Sequence, residues 1–509
     1  MGVSSMAAAS DGMQLQLCVF DLRRGQQEGQ ELDKILFFYP TDCPFLTQLS
    51  LVGLSEGIIT FSRIFSPEAA CEVIEAEKHS HVFYEAEPDI WMVLVVEKSK
   101  DDGQVWRCEA LRGVLKEVHS LFNMFHMSIH ALLDKKPSGE LARSHLRSFI
   151  TDYLSDYQLG KKMQMPSFRD SLKERGNVQM LTVSREVALE VQSLITSISS
   201  CCNGCDSLIL FQDLLVSTTL PPDDTANLFS YATLRLTPHA LSSSTSSWSY
   251  LRKGNATPTL SNVATLDEHQ SRSCDTSQGQ NCQISSIPRF LQRDKWSKGK
   301  DGFLVPNFPS GEVGSFVLST PVVWNQQNDD CKYLCVYQHK GITVVMLVPA
   351  SSLANGEQGL VQVKNQFLEN VAQRLTAVEQ KLSRGWGGEN AYHVSGYRYL
   401  LIDRDRSVSR ATPAGKVTTL KKESLVYLNK LREEVDIEKG RWHRDNPHQE
   451  NELEVSIRAE NNAWVIAKVI RGKELYMVLE KANETLLYAT DAVEKFSNRY
   501  CEGAFSMEY

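Results

Sequence analysis

The segment Ile90-Trp91-Met92-Val93-Leu94-Val95-Val96 is apolar at every position. An apolar run of this length predicts a buried β-strand. From about Val105 to Leu133, apolar residues recur every three or four positions, which predicts a long helix packed on a sheet. These positions are Leu111, Leu115, Val118, Phe122, Phe125, Ile129 and Leu132.

Upstream of this strand the sequence predicts four more strands and one helix. The helix begins with a cap at Thr41 or Asp42 and ends at Phe65, just before Pro67. The predicted strands are Leu15–Leu22, Ile35–Tyr39, Cys71–Glu77 and His81–Glu87. The order ββαβββα predicts a compact two-layer α/β domain with a five-stranded antiparallel sheet.

The same order recurs twice downstream, although the sequence itself does not repeat. The second set comprises strands 207–211, 214–220, 315–323, 333–337 and 342–348, with helices 223–236 and 353–382. The third comprises strands 397–403, 407–412, 453–458, 464–470 and 474–479, with helices 420–437 and 485–500. We therefore expect an α/β (α+β) protein with three tandem domains of one architecture.

Composition changes mark the expected domain boundaries. We place the first domain with its C-terminal helices at 1–157, a helical connector at 158–200, the second domain at 201–385 and the third at 390–509. The second domain contains a serine-rich stretch without periodicity at 238–300, which predicts a disordered insertion. Helices at 141–157 and 184–199 are expected to join the first two domains.

Charge, cysteine usage and the N-terminal sequence limit the functional classes. The 509 residues have a net charge of −8, which argues against general nucleic-acid binding. Twelve cysteines are scattered among apolar segments, a usage typical of reduced cytosolic thiols. The first residues do not resemble a secretory signal, and no run of 18 apolar residues predicts a membrane span. We expect a cytosolic protein whose membrane contact is peripheral.

Motifs for covalent chemistry are missing from the sequence. The segment at Gly415-Lys416 lacks the rest of a phosphate-binding loop. Cys202 and Cys205 form one C-x-x-C pair. Cys331 and Cys335 could in principle complete a zinc site with it, but an ordinary turn with ordinary thiols is favoured. His119, His126 and His130 share a helix and are interpreted as packed or partly exposed residues. We predict no catalytic residue, no cofactor and no metal.

Two segments suggest contacts outside the chain. Residues 289–300 place five basic residues around Phe290, Leu291 and Trp296, which indicates either a solvated linker or a contact with anionic lipid or an acidic partner. The helix that ends at Phe65 has two apolar stripes, and Gly53 and Gly57 would allow close approach of another backbone. Either the connector helices or a partner subunit covers the second stripe. The stripes are Leu51, Leu54, Ile58, Phe61 and Phe65, and Phe45, Leu49, Val52 and Ile59.

Three segments in the first domain resemble one known family. They are Ile35–Pro40, Leu54–Phe61 and Asp89–Val96, and they look like the first longin domain of the calcium–caffeine–zinc sensitivity family of vacuolar fusion proteins. Three longin domains with an insertion in the second also resemble that family's layout. The chain is identified on this resemblance as a member of the family, from a plant.

The resemblance implies a function without covalent chemistry. Family members form a heterodimer with the monensin-sensitivity longin protein, and the pair is a guanine-nucleotide exchange factor for a late-endosomal or vacuolar Rab GTPase. The first longin domains of both subunits form a composite surface for the GTPase. This implies a peripheral protein on the cytosolic face of the late endosome or prevacuolar compartment, active in vacuolar protein transport and fusion.

The residues that we predict for the partner and GTPase interface are Leu54, Ile58, Thr60, Phe61 and Trp91. The competing interpretation is that Phe61 and Trp91 belong to the core. A longin-type scaffold or tethering subunit without exchange activity is the alternative function, and an enzyme with an unrecognised site is a third class.

Overall fold

The structure, a computed structural model, describes most of the three predicted domains. The described residues are 15–66, 71–97, 108–158, 177–181, 183–201, 204–241, 296–306, 320–324, 331–350, 353, 357–385, 397–412, 422–445, 452–470, 472–480 and 485–500. The predicted insertion falls outside the described residues from 242 to 295, as does Cys202 of the C-x-x-C pair.

The first sheet has five antiparallel strands in the spatial order β2-β1-β5-β4-β3. The apolar β5 lies at the centre, paired with β1 on one side and β4 on the other. The strands are β1 (Leu15–Asp21), β2 (Ile35–Tyr39), β3 (Val73–Glu75), β4 (His79–Glu87) and β5 (Ile90–Glu97).

Helices cover both faces of this sheet, so the prediction of two layers was wrong. Alternate residues of β5 point to opposite faces, as the period of a strand requires. Met92, Leu94 and Val96 pack with helix α2 (Cys108–His126). Trp91, Val93 and Val95 pack with helix α1 (Phe45–Phe65). Because Ile90–Val96 of β5 are all apolar, the strand can be buried on both sides, and three layers result.

The long helix predicted up to Leu133 is two helices. It ends at His126, Met127 has a φ of 74°, and α3 (Ile129–Lys135) begins after Ser128, whose hydroxyl accepts a hydrogen bond from the Ala131 N–H. A further helix, α4 (Glu140–Gln158), packs beside α2 and α3 and against β2. The break depends on a cap that apolar periodicity does not reveal.

The second sheet follows a short strand, β6 (Val178–Gln179), and helix α5 (Arg185–Cys201). Its spatial order, β11-β12-β13-β7-β8, is the same topology as the first sheet. The strands are β7 (Asp206–Phe211), β8 (Leu214–Thr218), β11 (Val322–Trp324), β12 (Cys331–His339) and β13 (Ile342–Pro349). Its helices are α6 (Pro222–Arg235), α7 (Glu357–Phe367) and α8 (Gln373–Gly385), and a π-helical turn at Leu368–Ala372 joins the last two.

The predicted insertion is narrower than 238–300. Residues 238–241 are helical, and β9 (Trp296–Lys298) pairs with β10 (Leu304–Pro306). Trp296 is buried, and its indole N–H donates to the Tyr231 hydroxyl at 3.1 Å. An aromatic side chain with a satisfied polar group is a core feature, so residues 296–300 belong to the folded domain and not to the insertion.

The third sheet repeats the topology, in the order β16-β17-β18-β14-β15, and β6 adds a sixth strand at its edge. Helix α9 (Lys422–Asp445) packs on one face and α10 (Leu486–Tyr500) on the other. The strands are β14 (Tyr397–Asp403), β15 (Val408–Ala411), β16 (Leu453–Arg458), β17 (Trp464–Ile470) and β18 (Lys473–Leu479). The predicted class, five-stranded antiparallel sheets with flanking helices, is confirmed.

The hydrophobic cores join the first two sheets and leave the third sheet with its own. One cluster runs from Leu17 in β1 through α2 and α6 to Leu347 in β13. At its centre the Phe125 and Tyr231 rings meet edge to face at 4.7 Å. The third sheet has two clusters of its own, one on each face. The first two sheets are therefore one packed body.

Candidate interaction surface

Helix α1 is fixed to the first sheet by a narrow apolar stripe. Leu51, Val52 and Ile59 are buried against the sheet, with Ser55 between them at no measurable exposure. The Ser55 hydroxyl donates to the Leu51 carbonyl at 2.8 Å, so the helix satisfies its own buried polar group. The helix starts after Pro44, without a side-chain cap, and not at the predicted cap of Thr41 or Asp42.

The surface of α1 away from the sheet, together with its N-terminal end at Phe45, is apolar and open. Six large side chains on this helix are more than half exposed, which is unusual for apolar residues so close together. They are Phe45 at 67%, Leu46 at 81%, Leu54 at 53%, Phe61 at 64%, Ile64 at 70% and Phe65 at 73%. We call these six residues the α1 outer face. Gly53 and Gly57 lie between them, and a Cβ atom added at either position would meet nothing within 4 Å.

The charged residues of α1 are engaged beside the sheet rather than spread over this face. The Glu56 carboxylate accepts from the Lys34 ammonium at 2.7 Å. The Arg63 guanidinium lies 2.9 Å from the Glu85 carboxylate and 5.4 Å from the centre of the Trp91 ring. Since no other Asp, Glu, Lys or Arg occurs between Phe45 and Phe65, the outer face is uncharged. An uncharged apolar patch is typical of the centre of a protein–protein interface.

The five predicted interface residues divide between surface and core. Leu54, Thr60 and Phe61 are exposed, and Ile58 is half-buried against the α1 side of the sheet. Trp91 is only 2% exposed, as the competing core interpretation has it. The predicted set lacks four residues of the outer face, because their exposure depends on which side of the helix meets the sheet: Phe45, Leu46, Ile64 and Phe65.

The two apolar stripes predicted for α1 are not the two faces of the helix. Leu51 of the first stripe is buried together with Val52 and Ile59 of the second, whereas Phe45 and Phe65 from different stripes are both exposed. The connector helices also pack elsewhere: α4 belongs to the core shared by the first two sheets, and α5 belongs to the outer core of the second sheet. Of the two alternatives left open by the sequence, cover of α1 by the connector helices is therefore wrong for the described residues.

Among the described residues, α1 is the one helix long and apolar enough to cross a membrane by length and composition. This qualifies the expectation drawn from the sequence that no segment could span a bilayer. Core helices of soluble proteins meet the same criterion, so the finding is weak evidence for a membrane span. In α1 the apolar residues instead serve two surfaces, one against the sheet and one open.

The histidines of α2 are packed side chains. His119 lies 3.2 Å from the Glu87 carboxylate, which also accepts from the backbone N–H groups of Ile129 and His130 at 2.7 and 2.8 Å. Burial opposes ionisation of Glu87, yet these hydrogen bonds hold its pKa below the ordinary value. The carboxylate thus caps α3 and explains the break after His126. The partner comes from β4, not from the helix, which is why helical spacing did not indicate it.

The remaining candidate sites of the sequence are accounted for by packing. No group of three or more His, Cys, Asp or Glu side chains arranged to hold a metal ion occurs in the part of the chain that the structure describes. Cys335 is buried in β12, and Cys205 is buried as well. Trp296 is buried, so the basic segment at 289–300 does not present this aromatic to a membrane; its residues before 296 lie outside the described range.

Comparison with known proteins places this surface in a family context. Residues 15–127 match the model of the first longin domain of INTU, CCZ1 and HPS4, and residues 205–376 match Intu longin-like domain 2. A "Vacuolar fusion protein CCZ1 homolog" from Oryza sativa subsp. japonica is 64% identical over 510 residues, across 100% of both chains. Homolog B from Arabidopsis thaliana is 60% identical with the same coverage. A homolog from Dictyostelium discoideum is 22% identical, covering 96% of this chain and 97% of its own.

Proposed function

The chain belongs to the family of CCZ1-type vacuolar fusion proteins, as a plant member with a role in vacuolar trafficking and fusion, and on this premise we propose a specific activity. It is one subunit of a heterodimeric guanine-nucleotide exchange factor for a late-endosomal or vacuolar Rab GTPase. The partner is the monensin-sensitivity longin protein that the resemblance implies. The complex works peripherally on the cytosolic face of the late endosome or prevacuolar compartment.

The α1 outer face is the observation that supports this proposal. Six large apolar side chains lie open on a helix whose other face is already packed, and the helix has no unpaired charge among them. Exposing this surface to water is unfavourable, and a partner of matching shape removes that cost. The face lies in the domain that matches the longin family model, where the composite surface is expected.

Exchange on such a surface needs no nucleophile, acid or base. A GTPase releases its nucleotide faster when a partner binds the nucleotide-free state more tightly than the bound state, because binding then shifts the population between the two. The chain therefore acts by binding and is not an enzyme with covalent chemistry. Within the proposed heterodimer it supplies half of the surface for the GTPase.

The direct test measures release of fluorescent GDP from late-endosomal Rab proteins. We expect acceleration only when this chain and the partner subunit are both present. Leu54→Asp should abolish it, since a carboxylate on the outer face cannot be desolvated without a partner charge. The matched control is Leu487→Asp, which changes an 80% exposed leucine on α10 of the third domain. Ile58 is a poorer choice because it also packs against the sheet.

The alternative is a longin-type scaffold or tethering subunit. It predicts that the heterodimer forms and that Leu54→Asp disrupts it, but that no late-endosomal Rab releases GDP faster. If Leu54→Asp changed neither partner binding nor exchange, the outer face would not be the interface.

A further inference from the structure

The third domain is a complete folding unit by its own contacts. Its two hydrophobic clusters contain only residues from 399 to 496. A buried ion group adds to them: the Glu474 carboxylate accepts from the Lys439 ammonium at 2.7 Å and from the Tyr476 hydroxyl at 2.7 Å, and it pairs with Arg404. These contacts hold helix α9, strand β18 and the turn after β14 together. The first two domains, in contrast, share one core.

Residues 177–181, which we call the strap, form the most extensive contact of the third sheet with the rest of the described chain. The Val178 and Met180 N–H groups donate to the Ser407 and Ser409 carbonyls at 2.8 and 2.9 Å. The next N–H, of Leu181, donates at 2.8 Å to Leu215 at the edge of the second sheet. A single short segment therefore pairs with β15 of the third sheet and with β8 of the second.

Few apolar side chains of the described residues support the pairing between the strap and β15, which we call the joint. Val178 is buried, and Val408 of β15 packs beside it at the margin of the core that the first two sheets share. At the start of the strap, the carboxamide nitrogen of Asn177 is buried, and within the described residues it has no hydrogen-bond partner. A buried polar group without a partner destabilises the arrangement that buries it.

We propose that the strap is a releasable tie, through which the third domain docks on the joined first and second domains and detaches without unfolding. The reason is the imbalance, within the part of the chain that the structure describes, between many contacts inside the third domain and few at the joint. Regions held by few buried apolar contacts open at lower free energy than core elements. Release would change where the third domain lies relative to the α1 outer face, and closing would restore it.

Two changes in the full-length chain act on the joint in opposite directions. Val178→Cys with Val408→Cys places two thiols on directly paired residues of neighbouring strands, within the Cα range that a disulfide allows, and should lock it. Met180→Pro removes the N–H that donates to Ser409 and should release it. Met180→Leu keeps that N–H and is the matched control.

Amide hydrogen exchange and small-angle X-ray scattering measure the effects of the disulfide and of Met180→Pro. We expect the amides of residues 178 and 180, which donate to β15, to exchange at least tenfold faster than those of β14 and β18, and the disulfide to slow them by at least tenfold. Met180→Pro should increase the radius of gyration while β14 and β18 stay protected; Met180→Leu should not.

Two results would overturn the proposal. One is strap amides that exchange as slowly as those of β14 and β18 in the unmodified chain. The other is a Met180→Pro variant in which the whole third sheet loses protection together with the strap. Should that variant fail to fold, the disulfide decides alone: exchange of the strap that is the same in the oxidised and reduced forms refutes a releasable joint.

Discussion

Helices α1 and α6 occupy the same place in two domains of one topology, and their outer faces differ completely. Each follows the second strand of its sheet. In α6 no large apolar side chain is exposed, because α2 of the first domain packs over Leu228, Phe229 and Tyr231. In α1 six large apolar side chains are exposed, and no described element covers them. The fold alone therefore does not decide whether this helix is covered.

The equivalent helix of the third domain shows what an uncovered helix ordinarily looks like. The exposed positions of α9 are largely charged, at Glu423, Lys430, Glu434 and Arg441, and Ile437 is its one exposed large apolar residue within the described range. A solvated helix face is normally polar. α1 has the composition of a covered helix but no cover among the described residues, which supports the proposal that a partner subunit covers it.

The largest expected effect is the loss of folding stability caused by a substitution in α6, the covered helix. Leu228→Ala removes a side chain that is 1% exposed between the second sheet and α2, so it leaves a cavity in the shared core. We expect the free energy of unfolding to fall by about 2–5 kcal/mol, measured by chemical denaturation. A loss below about 1 kcal/mol would mean that α6 is not held between the two domains as described.

The corresponding change on α1 should leave stability unchanged and reduce binding. Leu46→Ser alters an 81% exposed side chain, so the free energy of unfolding should change by less than about 0.5 kcal/mol. Affinity for the partner subunit should fall at least about tenfold, as for an apolar contact inside an interface, measured by titration calorimetry. A variant that loses stability instead would show that α1 is covered within the chain itself.

Much of this contrast could be predicted from the sequence, and the part that could not depends on distant contacts. Apolar periodicity located the five antiparallel strands of each sheet, because a strand's burial pattern is local. The exception is the predicted strand 315–323: the observed β11 begins only at Val322, and residues 315–319 lie outside the described range. The division of α1 into faces was wrong, since Leu51 and Phe65 look alike as sequence and only the sheet beneath Leu51 separates them.

Contacts made far along the chain explain the other errors. Glu87 caps α3 from a strand about forty residues away, so the break at Met127 leaves no helical signature. The strap is too short to show a hydrophobic periodicity. Its strand conformation depends on pairing with the edges of the second and third sheets. Trp91 lies in a strand apolar on both faces, so the sequence could not distinguish core from surface there.

The packing of α2 over α6 should become less stable at acidic pH. Burial, followed by the neighbouring His145, lowers the pKa of His126 in α2 from 6.5 to about 3. The unfolded chain therefore binds a proton between pH 6.5 and 3 that the folded chain does not, and stability falls as the pH falls through this window. At pH 5 the loss is about 2 kcal/mol relative to neutral pH.

His126→Phe tests this directly, since the side chain already packs against the Phe122 and Phe149 rings. We expect the variant to lose less stability than the original chain between pH 7 and pH 5, by about 2 kcal/mol, in denaturation curves at both values. Equal losses would show that His126 is accessible to protons in the folded state. His145, whose pKa burial and Lys135 also lower, contributes in the same direction and remains in the variant.

The smallest expected effect separates an open helix from a covered one most sharply. Gly57 lies in the middle of α1, where glycine costs about 0.5–1 kcal/mol relative to alanine. An added Cβ meets no atom within 4 Å, so Gly57→Ala should stabilise the isolated chain by that amount, and Gly53→Ala should do the same.

A covered helix would respond in the opposite way, because the new methyl group would collide with its neighbour. If Gly57→Ala stabilises the isolated chain but weakens partner binding, the cover comes from the partner and approaches the helix backbone at this point. If it destabilises the isolated chain, the cover is already present within it, and the contrast with α6 disappears.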